Sequence, residues 1–278
     1  MARDPAWHTP ETESLVRLSY SLHEELAHEF DGESSWGYRR LRALTLVKDL
    51  RKSQEALVEE CSIRGVHPEP PSLGEEPTDL EWLQGYGIRS IELVAKEDGA
   101  AQVDPALFTK RIFQVALEAK VKYIKGRPTS WNNDSRLLQI STKEGEVAIP
   151  CDSLVIAAGP WSAIITEELL SMTIPISYLP GHSIHIRPSQ PVPAHVVHGR
   201  LLGKGLTTTP CIFPWRDGLV YVGGENVGAP LPGGTYDVEI DPRAIQKLIQ
   251  TSREVSRMLA EGVVERKQVF TFLRLSRI

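Results

Sequence analysis

A chain of 278 residues, 41% hydrophobic and 24% charged, is long enough for one large or two modest domains with a sizeable core. Its formal charge of -5 argues against a broad nucleic-acid-binding surface. Three cysteines, Cys61, Cys151 and Cys211, stand far apart without CxxC spacing, which excludes a disulfide framework and reads as isolated core thiols in a reducing compartment. The opening MARDPAWHTPETES has no apolar signal core, and no stretch reaches the length of a membrane span. A soluble cytoplasmic protein without a membrane span is expected, with the periphery of a mitochondrial or peroxisomal membrane as the alternative.

The first helix is predicted from Thr9 as cap, Pro10 in the first turn, and Glu11 and Glu13 near the positive end of the dipole. Leu15, Leu18, Leu22 and Leu26 recur at helical spacing, with Phe30 extending the stripe, and are expected to pack on the core. His23 and His28 fall on the polar face; without a ligand cluster they do not suggest a metal. Asp31-Gly32 stops the helix. Residues 36–47 read as a strand in which Arg39, Arg40 and Arg42 either meet an anion or, the simpler reading, are exposed strand-edge charge. Residues 51–61 are helix-like, HPEPPSLGEEPTD is a surface loop, and residues 80–94 form a short helix followed by a strand.

Asp104 and Pro105 then start the best-capped helix of the chain, with Phe108, Ile112, Ala116 and Ala119 on one face. A short strand at 121–124 ends at Gly126-Arg127-Pro128. Residues 136–142 and 147–149 make a hairpin around Lys143-Glu144-Gly145. A helix follows from Ser162 to about Leu170, then a strand over 174–186 broken at PGHS. Residues 212–222 form a hairpin turning at Asp217-Gly218, and Asp241-Pro242 caps a helix carrying Ile245, Leu248, Ile249 and Leu259. The mixed tail has Lys267, Arg274 and Arg277, too few charges to favour a membrane patch over a frayed end.

The most informative stretch is CDSLVIAAGPWS, residues 151–162. Its apolar run at 153–156 has the form of a strand buried on both faces of a parallel sheet. Ala157, Ala158 and Gly159 then end the strand with small side chains, followed by Pro160 and Trp161. Small residues at that edge let a helix, another backbone or a flat ligand approach closely, and open α/β sheets bind cofactors there. An ordinary strand-to-helix turn would read the same.

Catalytic motifs of other classes are missing: no nucleophile elbow, P-loop or zincin pattern occurs. His182 and His185 would point to opposite faces of a strand, and His195 and His198 lie in a proline-broken loop, so no metal site is assigned. No acid–base pair can be named, and catalytic residues stay unassigned.

Residues 99–161, with the order VDPALF helix, short strand, hairpin and AAGPWS turn, resemble the second half of the flavin domain in the FAD-dependent D-amino-acid oxidase and glycine oxidase superfamily. The strand over 176–188 and the VYVGGE hairpin resemble segments of its substrate domain, and Tyr38-Arg39 sits where that domain begins. The resemblance implies FAD as cofactor, and cofactor-binding positions at Pro128, Ala157, Ala158, Gly159 and Trp161. At Pro128 the family normally has valine contacting adenine through its backbone, a contact for which proline lacks the N–H. It implies a fold of two parts. One is α/β, a partial FAD/NAD(P)-binding Rossmann-like domain (residues 1–35 and 99–171); the other is α+β, an antiparallel substrate domain (36–98 and 172–278).

The expected activity is oxidation of a small amine or amino acid with hydride transfer to flavin. The alternative is a non-catalytic binding or regulatory homologue, or an incomplete gene model. The family's opening GxGxxG unit and its closing flavin- and substrate-holding segment have no counterpart here; the fragments at Gly85 and Gly203 lack the third glycine. One sheet edge is therefore expected to be open or to recruit a partner.

Overall fold

A computed structural model describes residues 10–51, 79–83, 87–96, 99–203, 207–226, 231 and 239–275. In chain order come α1 (Pro10–Glu29), α2 (Gly32–Trp36), β1 (Arg39–Arg40), β2 (Arg42–Asp49), a 3-10 turn (Glu81–Leu83), β3 (Ile88–Ala95), β4 (Ala101–Gln102) and α3 (Pro105–Glu118). Next are β5 (Gly126–Asn132), β6 (Leu137–Thr142), β7 (Gly145–Pro150), a 3-10 turn (Gly159–Trp161), α4 (Ser162–Leu170), β8 (Ile176–Arg187) and β9 (His195–Leu202). The chain closes with β10 (Thr207–Thr208), β11 (Cys211–Pro214), β12 (Val220–Asn226), α5 (Pro242–Val255), α6 (Arg257–Ala260) and β13 (Val263–Leu275). The fold is mixed α/β, in two compact units. One comprises Met1–Ile112, His182–Glu225 and Ile240–Gln268; the other comprises Phe113–Gly181, Asn226–Glu239 and Val269–Ile278. The expected cap Thr9, the 52–61 helix and most of the acidic proline loop lie outside the described residues. No helix among the described residues is long and apolar enough to cross a membrane.

The first unit is built on a sheet in the order β13-β8-β12-β11-β9-β2-β3, with β10 on β9. β2 runs parallel to β9, Arg42 opposite His195 through Asp49 opposite Leu202, and antiparallel to β3. Strand alternation sends Leu44, Leu46, Ile184, Ile186, Val197, Ile212 and Val222 to one face, where they are buried with Ile245, Leu248 and Val255 of α5. Asp241 caps α5 by accepting from the Arg243 amide at 2.7 Å, with Pro242 in the first turn. The sheet holds this helix at both ends. His182 Nε2 accepts the Asp241 N–H at 2.9 Å. Lys48 Nζ donates to the Glu254 carbonyl; burial pushes its pKa down, against the pull of the Glu254 charge. At the end of β2 the Asp49 carboxylate accepts from Arg51 Nη2 at 2.7 Å and Arg89 Nη2 at 2.8 Å, which hold it well below the usual carboxylate range.

In the second unit β5, β6 and β7 form an antiparallel sheet in that order. α4 packs on β5, and Arg127 Nη2 meets Glu168 at 2.7 Å.

Several expectations change. The leucine stripe of α1 faces out: Leu18 is 56% exposed, and Leu15 and Leu22 are exposed as well, while Tyr20 and Ala27, seven residues apart, make the buried seam. That seam wins because Gly32 lets the chain turn against Ala27; a Cβ there would meet Ala27 Cα and Trp36 Cζ2 at 2.6 Å. Trp36 ends α2 instead of starting a strand, and lies edge-on to Phe108 at 5.3 Å. His23 is half-buried against Phe108 at 4.9 Å, and burial lowers its pKa, so it is no solvated polar-face residue. Residues 121–125 take no regular structure, and β8 runs unbroken through Pro180-Gly181. His195 and His198 lie in β9, not in a loop.

Leu248, 1% exposed beneath the sheet, should be among the costliest positions to truncate. Leu248→Ala is expected to lose about 2–5 kcal/mol of unfolding free energy, whereas Leu18→Ala should stay within about 0.5 kcal/mol; urea denaturation of the two variants compares them directly.

Candidate functional site

The small-residue turn is intact and open. The Cys151 N–H donates to the Arg136 carbonyl at 3.0 Å, closing the hairpin ahead of it. From there Ser153, Val155 and Ala157 are exposed while Leu154, Ile156 and Ala158 are half-buried, the side-chain period of a strand. Yet residues 153–158 join no sheet ladder among the described strands, and Val155 is 85% exposed. The expected strand, buried on both faces of a parallel sheet, is therefore absent: an apolar run sets the extended form but does not supply the strands that would flank it.

Gly159 sits at φ +54, in the left-handed region, and a Cβ on it would meet nothing within 4 Å. Glycine is favoured there by backbone conformation, and space is left beside it. The Trp161 N–H donates to the Ala158 carbonyl at 3.1 Å, and α4 grows directly from this turn with Ser162, Thr166 and Leu169 buried. Open space at Gly159 and an exposed Ala157 fit a flat dinucleotide lying against the turn. Pro128 lies in β5 opposite Ile140, beside a bulge. β5 is an edge strand, where a residue without an N–H is tolerated. The Arg127–Glu168 pair ties its neighbour to α4.

A second constellation lies on the face of the large sheet turned away from α5. Pairing sets Cys211 opposite both His198 and Gly223, and Phe213 opposite Tyr221; strand parity puts these on the face opposite Val197, Ile212 and Val222. Tyr221 and Phe213 stack at 5.3 Å, His198 meets Phe213 at 5.8 Å, and His185 meets Tyr221 and Trp215 at 5.6 Å each. Cys211 Sγ lies 3.4 Å from His198 Nδ1. Burial pushes the thiol up and His198 down, so the pair is a thiol beside a neutral imidazole. Burial also pushes Tyr221 up to about 12. It lowers His185, helped by the Arg266 charge and opposed by Gln268, Asp217 and Asp104. The opposite orientation of His182 and His185 was legible from strand parity; the row itself was not, although the aromatic residues Phe213, Trp215 and Tyr221, all of one parity about the DG hairpin, hinted at one face.

The model of the FAD dependent oxidoreductase family, DAO, matches residues 3–270. The chain belongs to the FAD dependent oxidoreductase family. Two yeast proteins that carry the name oxidoreductase as an unproven assignment are similar to it. The Schizosaccharomyces pombe protein C1F5.03c is 26% identical over 94% of this chain and 67% of its own length; Saccharomyces cerevisiae TDA3 is 21% identical over 91% and 70%. Among solved structures, glycine oxidase from Geobacillus kaustophilus matches with TM-score 0.64 at 16% identity, covering 96% of this chain and 68% of that one. NikD, described as an unusual amino acid oxidase essential for nikkomycin biosynthesis, matches with TM-score 0.68 at 16% identity, covering 97% and 69%. At such identities the structural likeness is one of fold, and the chain spans about two-thirds of the length of these proteins.

Gly159→Ala should cost about 1–2 kcal/mol through backbone conformation alone, because nothing obstructs the methyl group; thermal unfolding measures it, and Gly159→Asn should cost less. Acid sensitivity is expected as well. His185 and His198 titrate below the ordinary histidine value of 6.5 in the folded chain, so as pH falls through about 6.5 the unfolded state takes up protons first and stability drops. Melting curves at pH 7.5 and 5.5 should show this loss, and His185→Gln or His198→Gln should each reduce it.

Proposed function

We propose that this chain forms the flavin-side turn and the substrate-side sheet of an FAD-dependent oxidoreductase that oxidises a small amine or amino acid. The observation that carries this is the open turn at 157–161, with left-handed Gly159 and free space beside it, inside a chain of the DAO family. FAD, when bound, supplies the redox chemistry as hydride acceptor. Ala157, Ala158 and Gly159 would let its flat rings lie against the backbone, and Trp161 would wall that surface. Pro128, having no N–H, would offer only its carbonyl to the adenine. The substrate class is supported by the names of the structural neighbours, a glycine oxidase and an amino acid oxidase.

In this reading residues 1–35 and 99–171 serve the flavin and residues 36–98 and 172–278 serve the substrate. That is a division of roles, distinct from the compact units, which place α1 with the large sheet. The unpaired segment 153–158 is where a further strand would add, from a partner chain or from another part of the polypeptide. We assign the protein to the cytoplasm.

One observation favours a second reading, a homologue that binds without turning over: Pro128 has no N–H to offer the adenine contact that the resemblance implies there. Titration of the purified chain with FAD separates the two. Flavin absorbance that stays with the protein, is lost in Ala157→Arg and is bleached anaerobically by amines or amino acids supports the enzyme. Bound flavin that no amine or amino acid reduces supports the second reading, and no bound flavin at all refutes both assignments of the turn.

A further inference from the structure

Two hydroxyl residues in the chain have a lysine or arginine both three and five residues before them. They are Thr45, behind Arg40 and Arg42, and Ser130, behind Lys125 and Arg127. Cations so placed are a charge pattern by which one class of protein kinases selects its acceptor. The fold separates the two residues. Thr45 lies in β2, which is hydrogen-bonded to β3 on one side and to β9 on the other, so no enzyme can grip it as an extended chain. Ser130 is exposed in β5, an edge strand with β6 alone beside it. Its hydroxyl makes no hydrogen bond among the described residues, whereas that of Thr129 donates to the Gln139 carbonyl at 3.3 Å. Lys125 and Arg127 are exposed as well.

In a regular strand, residues three apart point to opposite faces. β5 is not regular here. Arg127 stands opposite Ser141, Pro128 opposite Ile140 and Ser130 opposite Gln139, which leaves Thr129 as the extra residue of a bulge. Ser141 and Gln139 are two apart on β6, so Arg127 and Ser130 share a face, roughly 7 Å apart along the strand. On that face the Arg127 guanidinium already holds a carboxylate. Its Nη2 donates to the two oxygens of Glu168 in α4 at 2.7 and 3.0 Å. The two side chains are 66% and 41% exposed, so water screens the pair and it is weak.

We propose that Ser130 is a phosphorylation site, and that its phosphate takes Arg127 from Glu168 and so frees α4 from β5. In the transfer the Ser130 oxygen bonds to the γ-phosphorus of ATP, the bond to ADP breaks, and the hydroxyl proton passes to the kinase's base. The product carries a charge of about −1.5 to −2 at neutral pH and three acceptor oxygens. It competes with the single charge of Glu168 for one guanidinium, can accept that group bidentately, and repels the carboxylate. None of this depends on the oxidoreductase reading.

The test incubates the full chain with ATP and cyclic-AMP-dependent protein kinase, and maps the phosphate by tandem mass spectrometry. Ser130 should carry it and Thr45 should not, and Arg127→Gln should slow labelling by about tenfold. An unlabelled Ser130, or a Thr45 labelled as readily, overturns the assignment. Hydrogen exchange over residues 162–170 reads the release of α4. It should quicken several-fold in the phosphorylated chain, and respond little to phosphate in Glu168→Gln, which has no ion pair to lose. Exchange indifferent to the phosphate, or quickened equally in Glu168→Gln, overturns the switch. Mapping and exchange on the wild-type chain decide even if both variants fail to fold.

Discussion

The first unit depends on one burial event, the apolar face of α5 laid against the large sheet. Ile245, Leu248 and Val255 meet Leu44, Ile184, Val197, Ile212 and Val222, and removal of this surface from water is the main favourable term available to the unit. Apolar contact is not directional and would tolerate a sliding helix. Two polar bonds remove that freedom: His182 takes the amide of the capping residue Asp241, and Lys48 bonds the last-turn carbonyl of Glu254. Each satisfies a backbone group that a helix end leaves without an internal partner.

Committing one face of the sheet to α5 fixes what the other can be. Strand parity sends every second residue the other way, so the choice of Ile184, Ile212 and Val222 for the core places His185, Phe213 and Tyr221 together across three strands. Their burial keeps the ring row uncharged. The second unit makes its provision in a different way. At 157–161 the side chains are made small, and one glycine takes a conformation that other residues adopt only at a cost. Absence of bulk, more than any functional group, is what that turn offers.

Local signals in the sequence were legible where the physics is local. The caps at Asp104 and Asp241 hold as read, with Asp104 Oδ1 accepting from the amides of Ala106 and Leu107 at 2.9 and 3.0 Å. The Asp217-Gly218 turn and the 143–145 hairpin also stand, because turn chemistry is decided within four residues. What failed was selection between faces and neighbours. Helical spacing marked Leu15, Leu18 and Leu22 as a stripe, but the face that packs is chosen by Gly32, Trp36 and Phe108, ten to ninety residues away. The apolar run at 153–156 showed that something apolar suits it, not which strand lies beside it. The aromatic row needed the register of β9 against β11 and of β11 against β12, which no short window contains.

A fold shared with glycine oxidase at 16% identity is intelligible in these terms. The alternation that faces α5, a capped helix and a small-residue turn can be met by many sequences, so they persist while nearly every side chain changes. The far face of the sheet packs as well, in a smaller cluster of Leu41, Ala43, Ala95 and Ala100, and Ser183 and His185 are buried on it. A substitution on that face therefore answers to this second cluster, while the burial of α5 is set by the alternate residues of the same strands.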